Sequence, residues 1–133
     1  LGAYTKIKGW IEVPESLGKE IEPILIKYIT SEYLNKHQVK VHQADLYSGG
    51  WVIQESPING YKHVFFGAET RTYLLGYIKA QIEEIALLVE KTDDFELYPE
   101  GFFSLEEDGT HSYPDVRWIV SHGRVRVLEG KLY

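Results

Sequence analysis

The chain has no cysteine, which excludes disulfides, thiolate nucleophiles and thiolate metal sites and permits a reducing compartment. Arginine is scarce, at four residues in a chain of net charge -6. That leaves no basic stripe of the kind duplex binding requires, so nucleic acid is not the expected partner. No apolar run approaches the ~18 residues of a membrane-spanning helix, and the first residues lack the basic, apolar and small-residue succession of a signal peptide. A soluble, cytoplasmic protein with no membrane partner is the expectation, although the chain starts without Met and a cleaved leader stays open. Also missing are a phosphate-binding glycine loop, a Gly-x-Ser-x-Gly elbow and a His-Glu-x-x-His helix.

What is present is ordinary globular material. With 133 residues, 44% hydrophobic and 26% charged, the chain can bury a core without staples, and one domain over 1–133 is the default. The clearest structural statement lies between Tyr113 and Gly130. Val116, Trp118 and Val120 alternate with Arg117, Ile119 and Ser121, and after His122-Gly123 the return run alternates Val125 and Val127 with Arg124 and Arg126. This is a hairpin with a two-residue turn, and its alternation places Trp118 in the core.

Earlier in the chain, Tyr4–Val13 alternates as a strand, with Gly9 marking a bulge or a close backbone approach. A helix starting around Lys19–Glu22 runs to about Leu34 with Pro23 in its first turn. Val39 and Val41 then alternate with Lys40 and His42 and predict a strand that continues through Leu46. Trp51–Gln54 and Tyr61–Phe66 predict the next pair, joined through an Asn59-Gly60 turn. Gly67 ends that strand, and Thr70 or Thr72 caps a helix whose stripe is Leu74, Leu75, Ile78, Ile82, Ile85, Ala86 and Val89. Phe95–Leu105 and the C-terminal hairpin complete a meander after an Asp108-Gly109 turn. The order β-α-β-β-β-α-β-β-β predicts an α+β fold: a mainly antiparallel twisted sheet with two amphipathic helices packed on one face. A ferredoxin-like core extended by strands is one realisation.

Charge is unevenly spread. Residues 1–82 hold 8 Asp/Glu and 9 Lys/Arg, residues 83–115 hold 11 and 1, and residues 116–133 hold 1 and 4. An acidic block is either a solvated face or a surface that attracts a basic partner. The candidate partner-binding residues are therefore Asp93, Asp94, Glu96, Glu100, Glu106, Glu107 and Asp108. The five histidines His37, His42, His63, His111 and His122 are scattered, so no metal, cofactor or catalytic residue is assigned. Arg71, with Thr70 and Thr72 at a helix start, could hold a phosphate or carboxylate, although a surface or salt-bridging role is the commoner one.

Several pieces together resemble immunity proteins of bacterial polymorphic toxin systems. They are the opening Lys8-Gly9-Trp10-Ile11, the aliphatic second helix, the acidic turn Glu106-Glu107-Asp108-Gly109, and Val116-Arg117-Trp118-Ile119-Val120 followed by Gly123-Arg124-Val125. The resemblance covers about a third of the chain. It implies a small cytoplasmic protein that neutralises a toxin domain by stoichiometric binding, with no catalysis of its own. The alternatives are a small-ligand-binding protein or enzyme with a His/carboxylate cleft, and a phage-encoded or structural assembly protein.

Overall fold

The structure, a computed structural model, describes residues 3–107 and 116–129. It is α+β, with four α-helices, a six-stranded antiparallel sheet and a two-stranded sheet. The central strand is β1 (Tyr4–Pro14), where strict alternation buries Ile7, Ile11 and Val13 and leaves Lys6, Lys8 and Trp10 exposed. β1 is paired along its length with β3 (Tyr61–Arg71) and on its other side with β6 (Glu100–Glu107). β2 (Trp51–Ile53) lies outside β3, and the hairpin β7 (Val116–Ser121) and β8 (Arg124–Glu129) lies outside β6, giving the order β2-β3-β1-β6-β7-β8. The first four strands of that order, with helices between β1 and β2 and between β3 and β6, form the split β-α-β arrangement of a ferredoxin-like core, extended at one edge by β7 and β8.

Both predicted turns are present, and for the expected reason. Asn59-Gly60 and His122-Gly123 have φ of 51°, 88°, 52° and 79°, the two positive values that a two-residue hairpin turn of matching twist requires. The hairpin buries Trp118 and Val120 on the helix side. Gly9 sits in an unbroken register opposite Phe103, so it is a close approach and not a bulge. A Cβ at Gly9 would fall 2.0 Å from the Phe102 carbonyl oxygen, and one at Gly101 would fall 2.2 Å from that of Trp10. The two glycines together let β1 and β6 meet without side chains between them.

The helical layer differs from the sequence expectation in two places, and strand β3 in one. The first helix is divided into a 3₁₀ turn over Glu15–Glu20, α1 (Ile21–Lys27) and α2 (Ser31–His37), broken where the Thr30 hydroxyl and amide both donate to the Lys27 carbonyl. The predicted strand from Val39 to Leu46 is instead α3 (Val41–Ser48). Its Val41 and Leu46 are exposed while Ala44 and Tyr47, three apart, are buried, so the alternating valines misled. Finally, Gly67 does not end β3, because β1 continues to pair with it as far as Tyr4 and Arg71.

α4 (Leu75–Ala86) is the long amphipathic helix, and it buries Ile78, Ile82, Ile85 and Ala86 together with Tyr77 and Gln81. No side chain caps it: Thr70 is a buried strand residue whose hydroxyl donates to the Thr5 carbonyl, and the Thr72 hydroxyl is bonded to that of Thr5. α1 and α2 close the same face through an aromatic cluster. The Tyr28 hydroxyl donates to Glu84 at 3.0 Å, the Tyr77 hydroxyl donates to the Tyr28 carbonyl at 2.8 Å, and Lys27 is paired with Glu84. His37 lies among the rings of Tyr28, Tyr33 and Tyr77, with its Nε2 buried and unpartnered. Among the described residues no helix is long and apolar enough to cross a membrane.

Candidate functional site

The seven acids nominated from sequence do not form one surface. Asp93 and Asp94 occupy the tip of the small hairpin formed by β4 (Glu90–Lys91) and β5 (Glu96–Leu97), and Glu96 follows on β5. Glu100 opens β6, while Glu106 and Glu107 close it. Six residues of strand at ~3.3 Å each separate Glu100 from Glu106 by about 20 Å. Asp108 lies outside the described residues. Four of the seven, Asp93, Asp94, Glu96 and Glu100, therefore gather at one end of the sheet.

The local chemistry holds that end in shape. The Thr92 hydroxyl accepts hydrogen bonds from the amides of Asp94 (3.3 Å) and Phe95 (3.1 Å), and the Thr92 amide donates to the Phe95 carbonyl at 2.9 Å. A small polar side chain thus replaces longer ladder pairing, the usual use of Thr in turns. The result is a tight tip that presents Asp93, Asp94 and the Phe95 ring, 52% exposed, to solvent. Below it is a cleft of about 140 Å³ lined by Glu12, Tyr61, Glu96, Leu97, Tyr98, Glu100 and His122. The Tyr98 hydroxyl donates to Glu96 at 2.8 Å, and that bond raises the phenol above its usual range.

The electrostatics of the cleft are unbalanced. Glu12 on β1 stands directly across the ladder from Glu100 on β6, an arrangement of like charges that destabilises a sheet. Among the described residues neither carboxylate has an ion-pair partner, since the pairs present are Lys27 with Glu84 and Lys79 with Glu83. Glu12, Tyr61 and Tyr98 were not singled out from sequence, and His122 was read there as a turn residue and one of five scattered histidines. The alternation of β1 puts Glu12 on the Trp10 face, but only the long-range pairing of β1 with β6 shows that it meets Glu100.

The other residues weighed from sequence are dispersed. Arg71 ends β3 instead of opening a helix, and its guanidinium lies over the rings of Tyr4 and Tyr73 at 5.1 and 5.5 Å. His42 is on exposed α3, His63 stacks on Phe65, and His111 lies outside the described residues. Among the described residues no group of three or more His, Asp or Glu is placed to hold a metal ion. No protein-family model, no curated protein and no solved structure matches this chain.

Proposed function

We propose that the protein is a stoichiometric binder of the immunity or inhibitor kind, which neutralises a toxin or enzyme by taking a basic side chain of its target at the acidic and aromatic end of the sheet. The observation that supports this reading most strongly is the facing pair Glu12 and Glu100, joined in one cleft by Glu96 and without a cation of their own. A stability cost held in place at a surface is relieved when a lysine or arginine arrives from outside. The neighbouring tip adds Asp93 and Asp94 for attraction at a distance and Phe95 for apolar contact.

A second reading is favoured by His122, which enters the same cleft with three carboxylates and gives a His/carboxylate set suited to proton transfer. Volume favours the first. A cleft of about 140 Å³ is well below the roughly 300–1,000 Å³ of small-molecule sites and suits the end of one cationic side chain.

The test is association with a toxin-type protein encoded beside this chain, measured at low and high salt for the parent and for Glu96→Lys with Glu100→Lys. Neutralisation of that protein by the parent, an on-rate that falls as salt rises, and a slower on-rate for the double variant are expected, because exposed charges are screened within about 8 Å at physiological ionic strength. A double variant that associates as fast as the parent at both salt concentrations would remove this surface from the interface.

A further inference from the structure

The sheet face turned away from the helices carries a transverse apolar row. Val52, Phe65, Trp10, Phe102 and Ile119 stand in register on β2, β3, β1, β6 and β7. Val52, Phe65 and Trp10 are 58%, 43% and 42% exposed, and the rings of Trp10 and Phe102 touch at a centroid distance of 5.8 Å. Four strand spacings of ~4.8 Å make the row about 19 Å long. Phe102 and Ile119 are half-buried, and Val52, Phe65, Trp10 and Phe102 line a groove of about 600 Å³; apolar surface of this extent marks an interface. Immediately beside the row, charge on the central strands differs by sign. One step to one side of it stands Lys8, with Ser104 and Arg117 beyond it in register, and one step to the other side stand Glu12 and Glu100. Among the described residues, Lys8 and Arg117 have no ion-pair partner.

We propose that this face is covered by a second copy of the chain, related by a two-fold axis running along the apolar row. Rotation about that axis lays the row on itself, keeps each strand over its own counterpart, and exchanges the two flanks. Lys8 of each copy then stands over Glu12 of the other, twice by symmetry, and Glu100 stands over Ser104. On the central strands the surface is its own complement, as a two-fold interface requires; at the β8 rim Arg126, in register with Ile119 and exposed, falls on its own counterpart. The competing axis, parallel to β1, would set Lys8 on Lys8 and Glu12 on Glu12 and is rejected by repulsion. A nucleic-acid strand is disfavoured by the carboxylates at both ends of the central strands, Glu12 and Glu100 at one and Glu69 and Glu106 at the other. The face measures about 24 Å across six strands by about 20 Å along them, on the order of 500 Å² per copy before side-chain relief, so the dimer belongs to the small, concentration-dependent class. Glu12 and Glu100 belong to both the paired face and the cleft of the target-binding reading, so dimer and target compete for them, while Asp93, Asp94, Phe95 and Glu96 are not among the paired residues.

The experiment is sedimentation velocity of the full chain from low to high micromolar concentration, at low and high salt. The parent should shift from monomer to dimer as concentration rises, more weakly at high salt. Trp10→Ala, Lys8→Glu and Glu12→Lys should each stay monomeric, with far-UV dichroism confirming that they fold. An equimolar mixture of Lys8→Glu and Glu12→Lys should dimerise again, because each copy then presents the charge that the other lacks, and the double variant Lys8→Glu/Glu12→Lys should do so alone. A parent that is monomeric at every concentration overturns the proposal and assigns the face to a different partner. A dimer indifferent to Lys8→Glu, or single variants that do not recover on mixing, overturns the two-fold geometry.

Discussion

Replacing Gly9 by alanine adds one methyl group to a buried seam and should destabilise the protein strongly. The added Cβ would lie 2.0 Å from the Phe102 carbonyl oxygen and 2.7 Å from the Phe103 Cα, both backbone atoms, where ordinary contact begins at 3.4 Å. No side-chain rotation relieves this, so β6 must move by about 1.4 Å, the difference between 3.4 and 2.0 Å. A shift of that size breaks two or three ladder hydrogen bonds at about 1 kcal/mol each and adds about 1–3 kcal/mol of overpacking strain. The expected loss is about 4 kcal/mol, out of the ~5–15 kcal/mol typical of whole domains. Gly67, directly across the ladder from Lys8, is the control, since a Cβ there meets nothing within 4 Å. Gly67→Ala should be neutral or up to about 1 kcal/mol more stable. Urea unfolding of dilute protein, followed by tryptophan fluorescence, should separate the two variants by about 2 M in midpoint at an m-value of about 2 kcal/mol/M. A Gly9→Ala midpoint at that of the parent, or equal losses for both variants, would refute the close-approach reasoning.

Trp118→Ala should cost about 3–5 kcal/mol by the large-to-small penalty, because the side chain is 4% exposed beneath the helices; an unchanged melting temperature would contradict its place in the core. Burial, and after it the charge of Lys36, holds the His37 imidazole below its ordinary value. The unfolded chain then binds the extra proton first, so stability should fall as pH drops through about 6.5 and level off below the folded value, and His37→Phe should flatten that part of a melting-temperature profile. Burial pushes the Tyr77 phenol up to about 12 and raises Tyr28 further, aided by Glu84. Both should stay protonated in the folded protein through pH ~10, where free tyrosine ionises, and stability should decline above that pH. An ultraviolet titration in which all 10 tyrosines ionise together before unfolding would disprove this.

The parts of the fold legible in the sequence are those whose signal is local. The C-terminal hairpin carries both an alternation and a turn pair able to take positive φ, and α4 carries a stripe long enough to have a period. α3 was not legible, because only Ala44 and Tyr47 of its eight residues are buried, too few to outweigh two exposed or flanking valines that favour strands. The acidic block shows the same limit from the other side. Sequence proximity groups Asp93, Asp94, Glu96 and Glu100 with Glu106 and Glu107, but strand extension carries the last two to the far end of β6. Glu12, which completes the cleft, comes from a strand nearly ninety residues earlier and is brought there by β1–β6 pairing alone.

That pairing also sets a timetable for synthesis. Ile11 is hydrogen-bonded into the sheet between Val64 and Gly101, so β1, though made early, acquires its second neighbour only after β6 has emerged. At ~5–20 residues per second the delay from Ile11 to Gly101 is about 5–18 s. Throughout that time β1 offers an unpaired edge to other nascent chains. Lys6 and Lys8, spaced along its open face, are suited to act as gatekeepers during this interval. Removing both charges should lower the yield of folded protein from cells by more than it lowers the stability of the protein that does fold.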